Sequence, residues 1–145
     1  MKLDVIATEN APAAIGPYSQ AVKVGELLFC SGQIALDVTT GEMLQGDAAT
    51  QTELVMANVS ALLDAAGAGF DNVVKSTIFL LDMGDFAAVN EVYGRCFCSH
   101  KPARSTVAVK SLPRGALVEI EVIACRKNES RQRSCATAST NQKSG

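Results

Sequence analysis

The 145-residue sequence has no tryptophan, a single histidine and only 5% aromatic residues. His100 stands beside no Ser or Cys in a nucleophile pattern, which argues against a hydrolytic triad. Long apolar runs are also missing. Ile78 to Leu81 is typical of those present, far short of the ~20 residues a membrane helix needs, so a helical span is excluded. The segment from Met1 to Ile6 has one early lysine, no uninterrupted apolar stretch and no small-residue cleavage site. No secretory signal is read there, and a cytoplasmic location is expected. P-loop, GxGxxG, HExxH and GxSxG patterns are all absent, so the nucleotide, zinc-protease and α/β-hydrolase readings lose their starting signal.

What is present points to one compact domain with a tail. Apolar residues make up 48% of the chain and charged residues 19%. The net charge of -2 is unevenly spread: residues 126–145 carry five Lys/Arg against Glu129, leaving eight basic and fourteen acidic residues before them. An acidic body without interleaved basic and aromatic residues argues against a nucleic-acid partner. Residues 127–145 are polar and lack hydrophobic periodicity, so they are expected to be disordered, outside a folded unit of residues 1–126. The five cysteines, an odd number with no CxxC pair, are expected as reduced thiols. Cys96-Phe97-Cys98-Ser99-His100 gathers two thiols and the histidine, but no second ligand pair completes a zinc site. The competing reading has Cys96 packed as a small hydrophobe and His100 solvated; no metal is assigned.

Ala21 to Val24 and Leu27 to Ser31 flank Gly25-Glu26 and predict a β-hairpin. Asp47 is placed to cap a helix over 48–66, whose stripe of Leu54, Val55, Val59, Leu62, Leu63 and Ala66 ends at Gly67. Val73 to Leu81 reads as a buried strand. Asp82 or Asp85 then starts a second helix, with Phe86, Val89, Tyr93, Cys96 and Phe97 on one face. Thr106 to Val109 and Leu117 to Cys125 predict two more strands, joined through Leu112-Pro113-Arg114-Gly115, whose Pro and Gly suit a turn. The order β-β-α-β-α-β-β implies an α+β domain, a sheet with two helices on one face. In the last strand Glu119 and Glu121 share a face with Leu117 and Ile123. That face is either solvated or covered by another subunit; the pattern leaves both open.

The segment Lys101-Pro102-Ala103-Arg104-Ser105-Thr106 holds a guanidinium close after a rigid Pro, a geometry suited to gripping a carboxylate. Taken singly, Arg104 also reads as a surface ion-pair partner, Tyr18 as a packed ring, Ser31 as a strand hydroxyl and Asn90 as a helix-surface amide. Together, four separated blocks carry more: Ala11 to Ala21 (APAAIGPYSQA), Ser31-Gly32-Gln33-Ile34, Asp85 to Tyr93 (DFAAVNEVY) and Pro102-Ala103-Arg104-Ser105, followed by Leu112-Pro113 and Val118-Glu119-Ile120-Glu121. In order and spacing, over about residues 5–126, they resemble the RidA (YjgF-type) family of enamine/imine deaminases.

The resemblance implies a chorismate-mutase-like α+β fold, a homotrimer with clefts between subunits, no cofactor or metal, and hydrolysis of small 2-imino acids (2-aminoacrylate, 2-iminopropanoate, 2-iminobutanoate) to 2-keto acids and ammonia. By position it implies that Arg104 anchors the substrate carboxylate and Glu119 positions water, with Tyr18, Ser31, Gly32, Asn90 and Thr106 in the pocket and the Gly32 N–H as a donor. Two departures are visible. Thr106 stands where many members have Cys, which leaves a backbone role for that position, and Lys101 stands where many have Phe, adding a positive charge at the cleft mouth. The same pocket also fits a non-catalytic keto-acid-binding regulator or chaperone-like protein; an endoribonuclease or translation inhibitor, which the family has also been called, fits the acidic body less well.

Overall fold

The computed structural model describes residues 2–126; the expected disordered tail lies outside them. Six strands, β1 (Leu3–Ile6), β2 (Ala21–Val24), β3 (Leu27–Gln33), β4 (Val73–Leu80), β5 (Ala103–Ala108) and β6 (Val118–Cys125), form one sheet with two helices, α1 (Ala48–Ala65) and α2 (Phe86–Arg95). Strand order is β1-β2-β3-β6-β4-β5, antiparallel throughout except for the β4–β5 pair. That one parallel pair needs a crossover, which α2 supplies.

The local signals explain the elements. Gly25 turns the β2–β3 hairpin at φ +59°, a conformation that costs glycine little. The Asp47 side chain accepts from the Thr50 N–H at 2.8 Å and starts α1, satisfying one of the donors a helix start leaves open. At the other end Gly67 adopts φ +72°, in a left-handed helix stop. Before α2, Asp82 accepts from the Gly84 N–H in a 3-10 turn over Met83–Asp85.

The core lies between the helices and one sheet face. Val55, Val59, Leu62 and Leu63 of α1 and Val89 and Tyr93 of α2 pack against Ile78 and Leu80 of β4 and Val118, Ile120 and Val122 of β6. The alternation expected for β6 holds: Val118, Ile120, Val122 and Ala124 are buried, whereas Glu119, Glu121 and Ile123 face away from the helices. With them on this open face stand Phe29, Lys75, Thr77 and Phe79, their neighbours in register.

Four expectations are corrected. The sheet has six strands rather than five, because Leu3–Ile6 adds an edge strand on β2. The fifth strand starts at Ala103, not Thr106, so Arg104 belongs to a strand paired with β4. His100 is not a solvated loop residue, since its Nε2 lies 2.6 Å from the Val73 carbonyl. Cys96 packs against the core with its thiol near the Val92 carbonyl. Cys30, Cys96 and Cys125 are free thiols while Cys98 is disulfide-bonded, which departs from the expectation that all five are reduced. Among the described residues no cluster of metal-ligating side chains occurs, and no helix is long and apolar enough to cross a membrane.

Candidate active site in two halves

The first half is built at a bulge. Cys30 pairs with Val122 and Gln33 with Ile120, so Ser31 and Gly32 together stand opposite Glu121 alone. Such an extra residue bends the strand and re-aims its side chains. Ser31 is held from two sides: its N–H donates to the Gln20 carbonyl at 2.9 Å and its hydroxyl to the Ser19 carbonyl at 2.6 Å. Gly32 lies directly under the Glu119 side chain. A Cβ there would come 2.5 Å from Glu119 Oε1 and 2.9 Å from its Cδ, closer than atoms pack, so the carboxylate can occupy this place only above glycine.

The segment preceding β2 forms the opposite wall. Gln20, buried, receives the Thr8 N–H on its Oε1 and donates its amide to the Thr8, Ala11 and Pro12 carbonyls. This pins the stretch that leads to Tyr18, whose hydroxyl accepts from the Ile15 N–H while the ring stays 54% exposed. The cleft between the walls has a volume of about 610 Å³ and is bordered by Tyr18, Ser31, Gly32, Arg114, Glu119 and Glu121, with Ile15 and Leu36 as apolar lining. Burial, and secondarily the neighbouring Glu121 carboxylate, push the Glu119 carboxyl above its ordinary value. A carboxyl so perturbed exchanges a proton more readily near neutral pH than a solvated one.

The second half is built on α2 and β5. Arg104 donates from NH1 to Asn90 Oδ1 at 2.6 Å, and its guanidinium carbon lies 5.2 Å and 5.7 Å from the ring centroids of Tyr93 and Phe86. The Tyr93 ring is fixed in turn by a 2.8 Å hydrogen bond from its hydroxyl to Ser76 Oγ. The guanidinium is thus seated on two aromatic faces and oriented by an amide, with most of its N–H donors still available. Asn90, Tyr93, Phe97, Lys101 and Arg104 line a second cleft of about 470 Å³. Thr106, two residues beyond Arg104 on the same strand face, has a buried Oγ1 with no partner among the described residues.

Register separates the halves. Arg104 pairs with Ser76, and Glu119 pairs with Phe79. Residues paired across strands point to the same side, and positions 76 and 79 on one strand point to opposite sides. Arg104 therefore sits on the helix side of the sheet and Glu119 on the open side. The structure brings Tyr18, Ser31, Gly32 and Glu119 together, brings Asn90 and Arg104 together, and keeps the two groups apart within one chain. Gln20, Tyr93 and Arg114 were missed as site residues from sequence; the places of Gln20 and Tyr93 inside motif blocks were the available hints.

Comparison with known proteins identifies the family. A profile of the endoribonuclease L-PSP family matches residues 8–126. Protein DfrA of Myxococcus xanthus is 57% identical over 126 residues, covering 86% of this chain and 96% of that protein. The 2-iminobutanoate/2-iminopropanoate deaminase of Mus musculus is 48% identical over 120 residues, 83% of this chain and 89% of that one. The crystal structure of E. coli TdcF with bound serine superposes with a TM-score of 0.81 at 43% identity, covering 86% of this chain and 99% of that one. With the family's motifs in order and its fold around them, the chain belongs to the endoribonuclease L-PSP (YjgF/RidA) family.

Proposed function

We propose that this protein is a hydrolytic deaminase of small 2-imino acids, working as a homotrimer in which each site joins the Arg104 half of one subunit to the Glu119 half of its neighbour. The observation that carries the reading is the placement of the two halves on opposite faces of one sheet: a face with two carboxylates and a cleft, and an edge with a poised guanidinium, complete each other only between chains. The names of relatives support the chemical class, since a protein 48% identical is called a 2-iminobutanoate/2-iminopropanoate deaminase, and the serine in a structural relative matches the size and carboxylate of such a substrate.

In the reaction, Arg104 forms a bidentate grip on the substrate carboxylate and the Gly32 N–H and Ser31 fix its other end. Tyr18 covers the imine, Asn90 keeps the guanidinium in place, and the Thr106 backbone borders the pocket. Water held by Glu119 adds to C2 of the iminium. The carbinolamine then collapses: the C–N bond breaks, the nitrogen leaves with its electron pair and takes up the proton from the adding oxygen. One iminium and one water thus give one 2-keto acid and one ammonium ion. Glu119 takes the water proton and returns it to nitrogen, which its raised proton affinity favours. Imines hydrolyse readily, so most of the gain comes from positioning.

The test is keto-acid release from 2-aminoacrylate generated in situ by a serine or threonine dehydratase, followed from the first seconds. Arg104→Ala removes charge-assisted hydrogen bonds of roughly 1.5–3 kcal/mol each and should lower kcat/KM by about 10² to 10⁴. Mixing Arg104→Ala with Glu119→Gln subunits, with exchange allowed, should restore about a quarter of wild-type activity, because one interface in four then pairs an intact Arg104 with an intact Glu119. No restoration in exchanged trimers would assign both residues to one chain's site and overturn the shared cleft.

A further inference from the structure

The Arg104 cleft contains a second cation and no acid. Lys101 lines it together with Arg104, and none of the lining residues Asn90, Tyr93, Gly94, Phe97 and Pro102 carries a negative charge. Lys101 Nζ donates to the Phe97 carbonyl at 3.1 Å, which uses one of its three protons and holds the ammonium at the helix end. Arg104 is bonded to a neutral amide. The ion pairs among the described residues use other cations, Lys2 with Asp4 and Arg95 with Glu91. Pro102 between Lys101 and Arg104 fixes φ and keeps the preceding residue extended, so the two cations are presented from a stiff segment. On this half of the proposed site, two formal positive charges face the cleft that receives the substrate carboxylate.

We infer that Lys101 is a specificity-determining residue that receives a second, side-chain carboxylate, so that the site prefers dicarboxylic 2-imino acids over their monocarboxylic counterparts. This rests on the deaminase reading and deepens it. Arg104 holds the α-carboxylate, whose planar fork geometry it matches, and the point charge of Lys101 takes the distal carboxylate, which needs no fixed orientation. The hydrolysis is unchanged: water adds at C2, ammonium leaves and the distal carboxylate stays intact. A cleft of about 470 Å³ has room for the added atoms. A hydrophobic residue at position 101 would leave the distal carboxylate desolvated and unpaired, the situation that discriminates most strongly between related substrates.

The experiment measures keto-acid release from 2-iminosuccinate, generated by D-aspartate oxidase from D-aspartate, and from 2-iminopropanoate, generated by D-amino-acid oxidase from D-alanine. The readout is the ratio of the two kcat/KM values, which a general loss of folding or activity does not move. Lys101→Gln should lower that ratio by about tenfold, the order a charge-assisted hydrogen bond supplies, and Lys101→Arg should keep it. A ratio unchanged in Lys101→Gln overturns the assignment. Wild type active on 2-iminopropanoate but inactive on 2-iminosuccinate overturns it while leaving the deaminase reading standing; wild type inactive on both overturns the two together.

Discussion

At the scale of single residues, the site depends on contacts too close to tolerate a change of shape. Gly32 and Glu119 share one space, and Glu119 is held there although burial and Glu121 both disfavour its charge. That has a sign in stability. A carboxyl whose proton affinity is raised by folding binds more protons in the folded than in the unfolded state, so it makes stability fall as pH rises above the ordinary value of 4.5. Replacing Glu119 with Gln removes this penalty. The variant should match wild type at pH 4 and below and melt at a higher temperature than wild type near pH 7–8, while losing turnover; equal melting differences at both pH values would contradict it. Cys30 shows the same physics without a function. Burial pushes its thiol up to about 12, which leaves it a packing group rather than a nucleophile.

The secondary-structure elements act as mounts for these residues. Tyr93 connects α2 to β4 through Ser76 and at the same time seats Arg104. Tyr93→Phe keeps the ring but leaves the buried Ser76 hydroxyl unpaired, which should lower stability by roughly 1–3 kcal/mol with kcat/KM reduced less than fivefold. Urea unfolding and keto-acid release on one preparation check both. The elements themselves were largely legible: the Asp47 cap, the Gly67 stop and the apolar stripe of α1 predicted its ends to within a residue, and the hairpin at Gly25 followed from its flanking runs. The misses have physical reasons. Leu3–Ile6 is a four-residue edge strand whose residues stay largely exposed, so it has no buried alternation to read. Ala103–Ser105 has weak strand character and follows a proline; its pairing with β4, a long-range contact, makes it a strand.

Over the whole molecule, legibility divides differently. Apart from Gln20, Tyr93 and Arg114, the residues of both candidate half-sites could be read from the motifs, but not their sidedness, because which face a strand residue occupies relative to another strand is set by register, and register arises only when strands pair. Under the proposed shared cleft, the same division makes activity a property of assembly. On the proposed reading, complete sites form only where subunits meet, so dilution below the trimer dissociation constant should lower specific activity in step with the loss of trimer. Sedimentation and keto-acid release across one dilution series test this, and constant specific activity in a range where the protein sediments as a monomer would refute it.

The reason for that dependence reduces to a number on β4. Its residue 76 partners Arg104 and its residue 79 partners Glu119, a separation of three. An odd separation assigns the two to opposite sides; an even one would have put acid and base on the same side of a single chain. The one register slip between β4 and β6 lies between Val73 and Lys75, before this window, and so leaves the parity intact. A one-residue insertion or deletion between Ser76 and Phe79 would therefore do more than disturb a strand: it would exchange the proposed site between two subunits for one enclosed in its own chain, or for none.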